Sequence, residues 1–328
     1  MPLHPVIAAD LRAAAEATPY WRLPLREARA AARVPYLRRK TAPVEVGAVR
    51  ELDVPGIGGN SGAIRVRVYT PFGAGPHPLV VFFHGSGFTL LDLDTHDDLC
   101  RRLCLASGSV VASVDYRLAP EHPFPAGPAD CVAATRWLAE HANELGCVEG
   151  ALALAGDSAG ACLAAATALH LRDANGVQAD ALVLWYPVTD HPSSHWPSYN
   201  EFGQGFGLSA EGMGWFWQQY LGDLGNDATK PRVDAASPLR ASSLAGLPRI
   251  WLASAECDVL RDEGEAFALR AQREGVTVQW HRAAAMNHGF MKYAGVIDEA
   301  TQSMALAGAW LGATLQAAAT TTAKDTRQ

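Results

Sequence analysis

The chain has 328 residues, of which 49% are hydrophobic and 19% are charged, and its formal net charge at pH 7 is −7. The length allows one large domain or two small ones, and the hydrophobic content is enough for a sizeable core, which excludes a largely disordered chain. The mildly acidic balance provides no basic surface, so we expect neither nucleic acid nor an anionic membrane as a partner.

The N-terminal segment, residues 1–45, is rich in Ala and Arg and has the periodicity of one or two helices, broken at Pro19, Pro24 and Pro35. It has no basic stretch followed by an apolar one, so no signal peptide is predicted. The six cysteines form no CxxC pair, which is typical of reduced thiols in a core. We therefore expect a cytoplasmic protein without membrane insertion.

An alternating, half-exposed strand begins near Gly62 and is followed by five short apolar runs and one further strand-like segment. Helical segments alternate with them, which predicts an α/β fold with a mostly parallel central sheet and helices on both faces. The strands are predicted at 79–83, 109–114, 151–155, 181–186, 250–255 and 276–281, and the helices at 96–106, 127–145, 158–172, 262–274 and 298–317.

Residues 190–248 interrupt this alternation, because they contain no convincing strand and are rich in aromatic residues. So long an insertion is usually functional, and together with the N-terminal helices it predicts a cap over the carboxyl edge of the sheet. The alternative is a set of extra core helices that cover no site. The predicted organisation is cap helices at 1–45, a catalytic α/β domain at 46–189 and 249–319, a cap insertion at 190–248 and a disordered tail at 320–328.

The sequence Gly156-Asp157-Ser158-Ala159-Gly160 stands between an apolar run and a helical segment. A GxSxG motif in this strand–turn–helix context predicts a nucleophile elbow. The two glycines permit a strained turn and a close approach of the helix to the strand. Ser158 would then lie at the start of a helix, where backbone amides favour developing negative charge. We predict that Ser158 is a nucleophile.

A serine nucleophile needs a base, and the histidine should follow both the serine and an acid in the chain. Of the histidines after Ser158, His170 and His281 fall within a predicted helix and strand, and His191 and His195 fall within the insertion. His288 follows the last strand in a loop, from which it can reach the carboxyl edge of the sheet. It is the predicted base.

The acid that orients this base should end the preceding strand. That strand leads into Glu256-Cys257-Asp258, and Asp258 is the predicted acid, with Glu256 and Asp262 as competitors. Capping of the next helix is the structural alternative for Asp258.

A Gly-rich segment, HGSGF at 84–88, directly follows a buried strand. Small residues at this place allow backbone N–H groups to approach a tetrahedral oxyanion. An ordinary glycine turn is the alternative interpretation of the segment when it is taken alone.

Taken together, these motifs resemble the hormone-sensitive-lipase-like family of α/β-hydrolase esterases over nearly the whole chain. The resemblance implies a carboxylesterase for short- to medium-chain esters with Ser158, Asp258 and His288 as its triad. It implies no metal or organic cofactor and a small-molecule ester as substrate, and it suggests a homodimer. The motifs are HGSGF at 84–88, DLDTHD at 92–97, DYRLAPEHPFPA at 115–126, GDSAG at 156–160, DVLRDEG at 258–264 and NHGF at 287–290.

The resemblance also implies that the backbone amides of Ser86, Gly87 and Ala159 hold the oxyanion, supported by His84 and Gly85. Ser86 stands where the family usually has Gly, so either its backbone N–H or its hydroxyl is a candidate donor. We favour the backbone, because a hydroxyl rotor is less preorganised than an amide fixed in a turn. We also expect Ser86→Gly to favour esters of branched alcohols by removing side-chain bulk.

The substrate pocket is expected to be lined by Phe88, Phe206, Leu208, Trp215 and Phe216. Neighbours on a helix lie about 100° apart, so residues 215–217 cannot all face it, and one of them should pack on the core. The rival functions are hydrolysis of amides, carbamates or lactones by the same triad, and a non-catalytic small-molecule receptor. A receptor would be expected to have lost the nucleophile or the base.

Two further clusters of polar residues are given structural roles. Arg117 and Glu121 are predicted to form an ion pair that braces the edge of the sheet. The acidic segment 92–98 is interpreted as a helix start with acids in its first turn rather than as a metal site.

Overall fold

The sheet at the centre of the protein has eight strands in a computed structural model that describes residues 3–38, 42–56, 62–222 and 231–325. In chain order they are β1 (Ala48–Pro55), β2 (Ala63–Thr70), β3 (His77–Phe83), β4 (Val110–Val114), β5 (Cys147–Asp157), β6 (Ala181–Trp185), β7 (Arg249–Cys257) and β8 (Val278–Asn287). Their spatial order is β1-β2-β4-β3-β5-β6-β7-β8, in which the first two pairs are antiparallel and the others parallel. The predicted mostly parallel sheet is confirmed.

Helices cover both faces of this sheet, because its central strands are apolar on both sides. Val80 and Phe82 point into one core, and Val81 and Phe83 point into the other. The helices in the described ranges are α1 (Pro5–Ala13), α2 (Leu25–Leu37), α3 (Asp97–Ser107), α4 (Ala126–Glu140), α5 (Ala159–Asp173), α6 (Pro197–Glu201), α7 (Ala210–Leu221), α8 (Pro231–Ala236), α9 (Arg261–Arg273) and α10 (Asp298–Asp325).

Two ends of the fold differ from the sequence-based expectation. The edge strand β1 is not predicted, because only Val54 among its residues is buried and the strand therefore lacks an apolar pattern. The predicted disordered tail from residue 320 is wrong as far as Asp325, since α10 continues to that residue. The Ala-rich sequence at 317–319 favours helix, because Ala has the highest helix propensity. Residues 326–328 lie outside the described ranges.

The two segments assigned to a cap contain helices and no strand among their described residues. Residues 1–45 contribute α1 and α2, and residues 190–248 contribute α6, α7 and α8 without a strand among the residues described there. Both segments line one cavity of about 1580 Å³ at the carboxyl ends of the strands. That these two segments act as a mobile cap over the site stays a prediction. In the described part of the chain no helix combines the length and the apolar character needed to cross a bilayer.

The predicted ion pair between Arg117 and Glu121 is wrong. Arg117 instead forms a two-pronged ion pair with Asp130 of α4, with Nη2 2.7 Å from Oδ1 and Nε 2.7 Å from Oδ2. Glu121 binds Arg29 of α2 at 2.7 Å. The two side chains face different helices, and their spacing in the sequence does not determine which helix each one faces.

Candidate active site

Ser158 lies at the sharp turn between β5 and α5, with φ 55° and ψ −122°. This conformation is strained for a residue with a side chain, and such strain is typical of functional sites. The flanking glycines make the turn sterically possible. A Cβ at Gly160 would overlap the carbonyl of Phe83, and one at Gly156 would overlap the backbone of Gly160. The Ser158 N–H donates to the Trp185 carbonyl at 2.9 Å, which ties the turn to β6.

His288 lies between Ser158 and Asp258, immediately after β8. Its Nε2 is 2.8 Å from Ser158 Oγ, and its Nδ1 is 2.8 Å from Asp258 Oδ2. Asp258 is 2% exposed, and its other oxygen accepts the N–H of Leu260 at 3.0 Å. A carboxylate only accepts hydrogen bonds, so Nδ1 carries the ring proton and Nε2 accepts from the serine hydroxyl. The three residues singled out in the sequence thus form one chain of hydrogen bonds.

The two competing acids bind elsewhere. Glu256 Oε2 accepts the N–H of Ala285 at 2.7 Å, at an irregularity of β8. Asp262 Oδ2 accepts the N–H of Ser198 at 2.8 Å, at the start of α6. Asp258 is therefore the acid in contact with the His288 ring.

The predicted oxyanion loop follows β3 and lines the same cavity as Ser158 and His288. Gly87 has φ 54°, and the described residues offer no internal acceptor to the N–H groups of Ser86 and Gly87. Ala159 is the first residue of α5, so its N–H has no partner within the helix. These amides are available to a negatively charged atom near Ser158 Oγ.

Asp157 connects this loop to the elbow, a role that sequence reasoning missed. Its Oδ1 accepts the Gly85 N–H at 2.7 Å and lies 3.2 Å from His96 Nε2, and its Oδ2 accepts the Tyr186 hydroxyl at 3.4 Å. Burial by itself would raise the pKa of Asp157, but His96 and the Gly85 N–H outweigh it and lower this pKa below the ordinary value. The sequence signal that could have revealed this role is the position of an acid directly before the predicted nucleophile.

His84 is buried behind the same loop. Its ring stacks on Tyr116 with centroids 4.5 Å apart. Burial and the neighbouring His96 lower the pKa of His84 to about 3, so it is neutral at physiological pH. In the supporting position predicted for it, His84 is thus an uncharged ring that packs against Tyr116.

The cavity beside Ser158 is lined by three of the five residues predicted for the pocket, namely Phe88, Leu208 and Phe216. The other two are not among the residues that line it. Phe206 packs edge-to-face on Phe202, with centroids 5.1 Å apart, and Trp215 packs on Tyr20 at 5.8 Å.

The α7 residues 215–217 divide as their helical spacing requires. Phe216 faces the cavity, Trp217 is fully buried in the core, and Trp215 is partly exposed against Tyr20. The prediction that Trp215 and Phe206 line the pocket is therefore corrected. Whether an aromatic side chain reaches the cavity depends on its position along the helix or loop, which the residue type does not indicate.

The acidic segment around α3 has protein partners for its side chains. Asp92 pairs with Arg33 and accepts the Thr95 N–H, and Asp97 accepts from Tyr69 and Arg101. Within the described ranges no group of three or more His, Cys, Asp or Glu residues is arranged to hold a metal ion.

Comparison with known proteins places this site in a family. Residues 80–292 match the profile of the α/β hydrolase fold. Esterase LipI of Mycobacterium tuberculosis is 41% identical over 250 residues, which cover 75% of this chain and 77% of that protein. Ethyl acetate hydrolase of Pseudomonas putida is 36% identical over 247 residues, covering 74% and 76%. A solved esterase of Pyrobaculum calidifontis superposes with a TM-score of 0.87 at 36% identity, covering 95% of this chain and 99% of its own. The chain therefore belongs to the α/β hydrolase family, in the hormone-sensitive-lipase-like branch that its motifs resemble.

Proposed function

We propose that this carboxylic ester hydrolase cleaves short- to medium-chain esters through Ser158, His288 and Asp258 by way of an acyl-enzyme. The observation that carries the proposal is the continuous hydrogen-bond chain from Ser158 Oγ through both ring nitrogens of His288 to Asp258, with 2.8 Å at each link. Its exposed end opens into the cavity that the proposed cap lines.

In the proposed first step, Ser158 Oγ attacks the ester carbonyl while His288 Nε2 takes the hydroxyl proton. Asp258 holds the ring in the tautomer that leaves Nε2 free and stabilises the imidazolium that forms. The carbonyl oxygen becomes an oxyanion, which the N–H groups of Ser86, Gly87 and Ala159 stabilise. His288 then gives its proton to the alcohol oxygen, the C–O bond breaks and the alcohol leaves.

In the second step, water enters and His288 takes one of its protons. The resulting attack on the acyl carbonyl passes through the same oxyanion site. His288 Nε2 then returns the proton to Ser158 Oγ as the Ser158–acyl bond breaks, which releases the acid and regenerates the enzyme. Every proton transfer in this sequence uses a group of this chain.

The apolar lining supports a substrate with an uncharged acyl chain. Phe88, Leu208 and Phe216 provide apolar surface beside Ser158, and hydrocarbon chains gain free energy by leaving water for such surface. Ethyl acetate hydrolase of Pseudomonas putida, which is similar to this chain over 74% of the length of this chain, is named for a short ester.

Hydrolysis of p-nitrophenyl esters from acetate to laurate tests the proposal. We expect kcat/KM to be highest for short and medium chains, and Ser158→Ala to lower kcat by about 10⁴–10⁶. Matched anilides, carbamates and lactones form the second arm. Turnover of those substrates alone would show that the triad serves another bond, and binding without turnover of any of them would indicate a receptor.

A further inference from the structure

Ser86 and Tyr116 form a buried pair of hydroxyl groups behind the oxyanion loop. Ser86 Oγ lies 2.7 Å from the Tyr116 hydroxyl, and that hydroxyl lies 2.7 Å from the carbonyl oxygen of His84. Ser86 is 4% exposed and Tyr116 is 2% exposed. Both hydroxyls therefore find their partners within the protein.

The directions of the two hydrogen bonds follow from a count of protons, because each hydroxyl has one to donate. A carbonyl oxygen only accepts, so Tyr116 donates to His84. Tyr116 must then accept from Ser86, and the Ser86 proton is directed into the protein. Burial raises the pKa of Tyr116 well above its ordinary value, so the phenol retains its proton at neutral pH.

We infer that Ser86 and Tyr116 are positioning residues of the oxyanion site: the Ser86 hydroxyl anchors the loop through Tyr116, and the Ser86 backbone N–H is the group presented to the substrate. This inference rests on the proposed function, because it assigns a role within the proposed oxyanion site. It applies to the serine that stands where the resembled family usually has glycine.

The pair holds the loop from the side of β4, the strand that precedes Tyr116 and lies next to β3. Tyr116 binds the His84 carbonyl and the Ser86 side chain, and its ring stacks on the His84 ring. From the opposite side, Asp157 binds the Gly85 N–H at 2.7 Å. His84, Gly85 and Ser86 are thus each held by a hydrogen bond. These bonds fix the loop segment that carries the N–H groups of Ser86 and Gly87. Preorganised donors of this kind stabilise an oxyanion without reorganising during the reaction.

The same bond corrects an expectation about substrate width. Because Ser86 Oγ is directed at Tyr116 and the residue is 4% exposed, the side chain adds little bulk to the cavity. Ser86→Gly is therefore not expected to favour esters of branched alcohols, contrary to the expectation from the sequence.

The experiment compares Ser86→Ala, Ser86→Gly, Tyr116→Phe and the double variant Ser86→Ala/Tyr116→Phe. The measurements are kcat and KM on p-nitrophenyl butyrate, the inhibition constant of an alkyl trifluoromethyl ketone and the melting temperature. The ketone forms a serine adduct whose oxygen resembles the oxyanion, so its affinity reports the loop amides directly. Tyr69→Phe and Ser107→Ala are matched controls, since each removes a buried hydroxyl that hydrogen-bonds elsewhere.

We expect Tyr116→Phe to lower kcat by about ten- to a hundredfold with KM within about threefold, since a small displacement of a donor is sufficient for such a loss. The inhibition constant of the ketone should rise by the factor by which kcat/KM falls. Ser86→Ala and Ser86→Gly should stay within about tenfold of the parent kcat, because both retain the amide. The double variant should resemble Tyr116→Phe, since both changes break one hydrogen-bond chain. The controls should retain kcat and ketone affinity.

Opposite results would overturn the inference. If the Ser86 hydroxyl is the oxyanion donor, Ser86→Ala and Ser86→Gly lose about 10²–10³ in kcat, while Tyr116→Phe keeps its activity because the hydroxyl becomes free. A lower melting temperature with unchanged ketone affinity would show a purely structural pair. If Tyr116→Phe does not fold, the two Ser86 variants still decide between hydroxyl and amide.

Ser158→Ala is measured alongside to separate this inference from the proposed function. Retained turnover in that variant would overturn the proposed function and the inference with it. Loss of turnover there, together with a fully active Tyr116→Phe, would overturn the inference alone.

Discussion

The ring of Phe216 lies so close to Gly87 that a Cβ at residue 87 would overlap it. Gly87 has φ 54°, in a region where residues with side chains are strained. One residue belongs to α7 of the insertion and the other to the oxyanion loop. Their contact makes the position of the insertion part of the geometry of the proposed oxyanion site.

Gly87→Ala is therefore expected to lower kcat by about a hundredfold or more, because the added methyl group meets Phe216 and displaces an amide donor. Adding Phe216→Ala should restore part of the loss, since it removes the ring that the methyl group meets. Steady-state kinetics of the single and double variants measure both effects.

Gly214→Ala is the matched control for Gly87→Ala. It lies on the same α7, where an added Cβ meets no heavy atom within 4 Å. We expect unchanged kinetics and a gain of about 0.5–1 kcal/mol in the free energy of unfolding. A Gly87→Ala enzyme as active as this control would contradict the proposed role of the Gly87 amide.

The aromatic residues of α7 should separate substrate selectivity from stability. Phe216→Ala should shift the acyl-chain preference with a modest loss of stability, because its ring faces the cavity. Trp217→Ala should cost about 3–5 kcal/mol of unfolding free energy without altering selectivity, since it empties a core position. Chain-length profiles and denaturant unfolding measure the two quantities. Unfolding in both variants without any change of selectivity would show that α7 is only core.

The three acids between the end of β7 and the start of α9 should differ sharply in kcat. Asp258→Asn should lower it by at least about a thousandfold, because the amide favours the wrong tautomer of the histidine. Asp262→Asn and Glu256→Gln should remain within about tenfold, since neither side chain contacts the ring. Asp262→Asn should instead lower the melting temperature, because it weakens the bond to Ser198. A crippled Asp262→Asn with an active Asp258→Asn would reverse the assignment.

His84 should contribute to acid sensitivity of the fold. Its pKa is lowered to about 3 in the folded protein from 6.5, so between these values the unfolded chain binds a proton that the folded protein does not. Stability therefore falls as pH decreases through this window, by about 2 kcal/mol from this group between pH 7 and pH 5.

His84→Gln should reduce that difference in unfolding free energy between pH 7 and pH 5 while lowering stability at pH 7. Chemical denaturation of both proteins at the two pH values gives the comparison. An equally acid-sensitive variant would show that His84 is not the group responsible.

Local sequence was sufficient to predict the fold class and the residues that meet at the site. The buried strands are apolar runs, and the elbow combines a serine, two close glycines and the start of a helix in five consecutive residues. His288 and Asp258 were selected because each lies in the segment that follows a predicted strand, and parallel strands place such segments at one edge of a sheet. The apolar runs, the elbow motif and the positions after strands are all set by residues that are neighbours in the chain, so the sequence alone reveals them.

Tertiary structure decided the partners of side chains that reach between distant elements. Arg117 binds Asp130 and Arg29 binds Glu121, whereas spacing in the sequence had suggested the pair Arg117–Glu121. The Ser86 hydroxyl donates to Tyr116, a partner 30 residues away. Such choices depend on the relative orientation of packed helices and strands, which a periodic pattern does not encode. For the same reason, the exposed strand β1 became visible only through its pairing with β2.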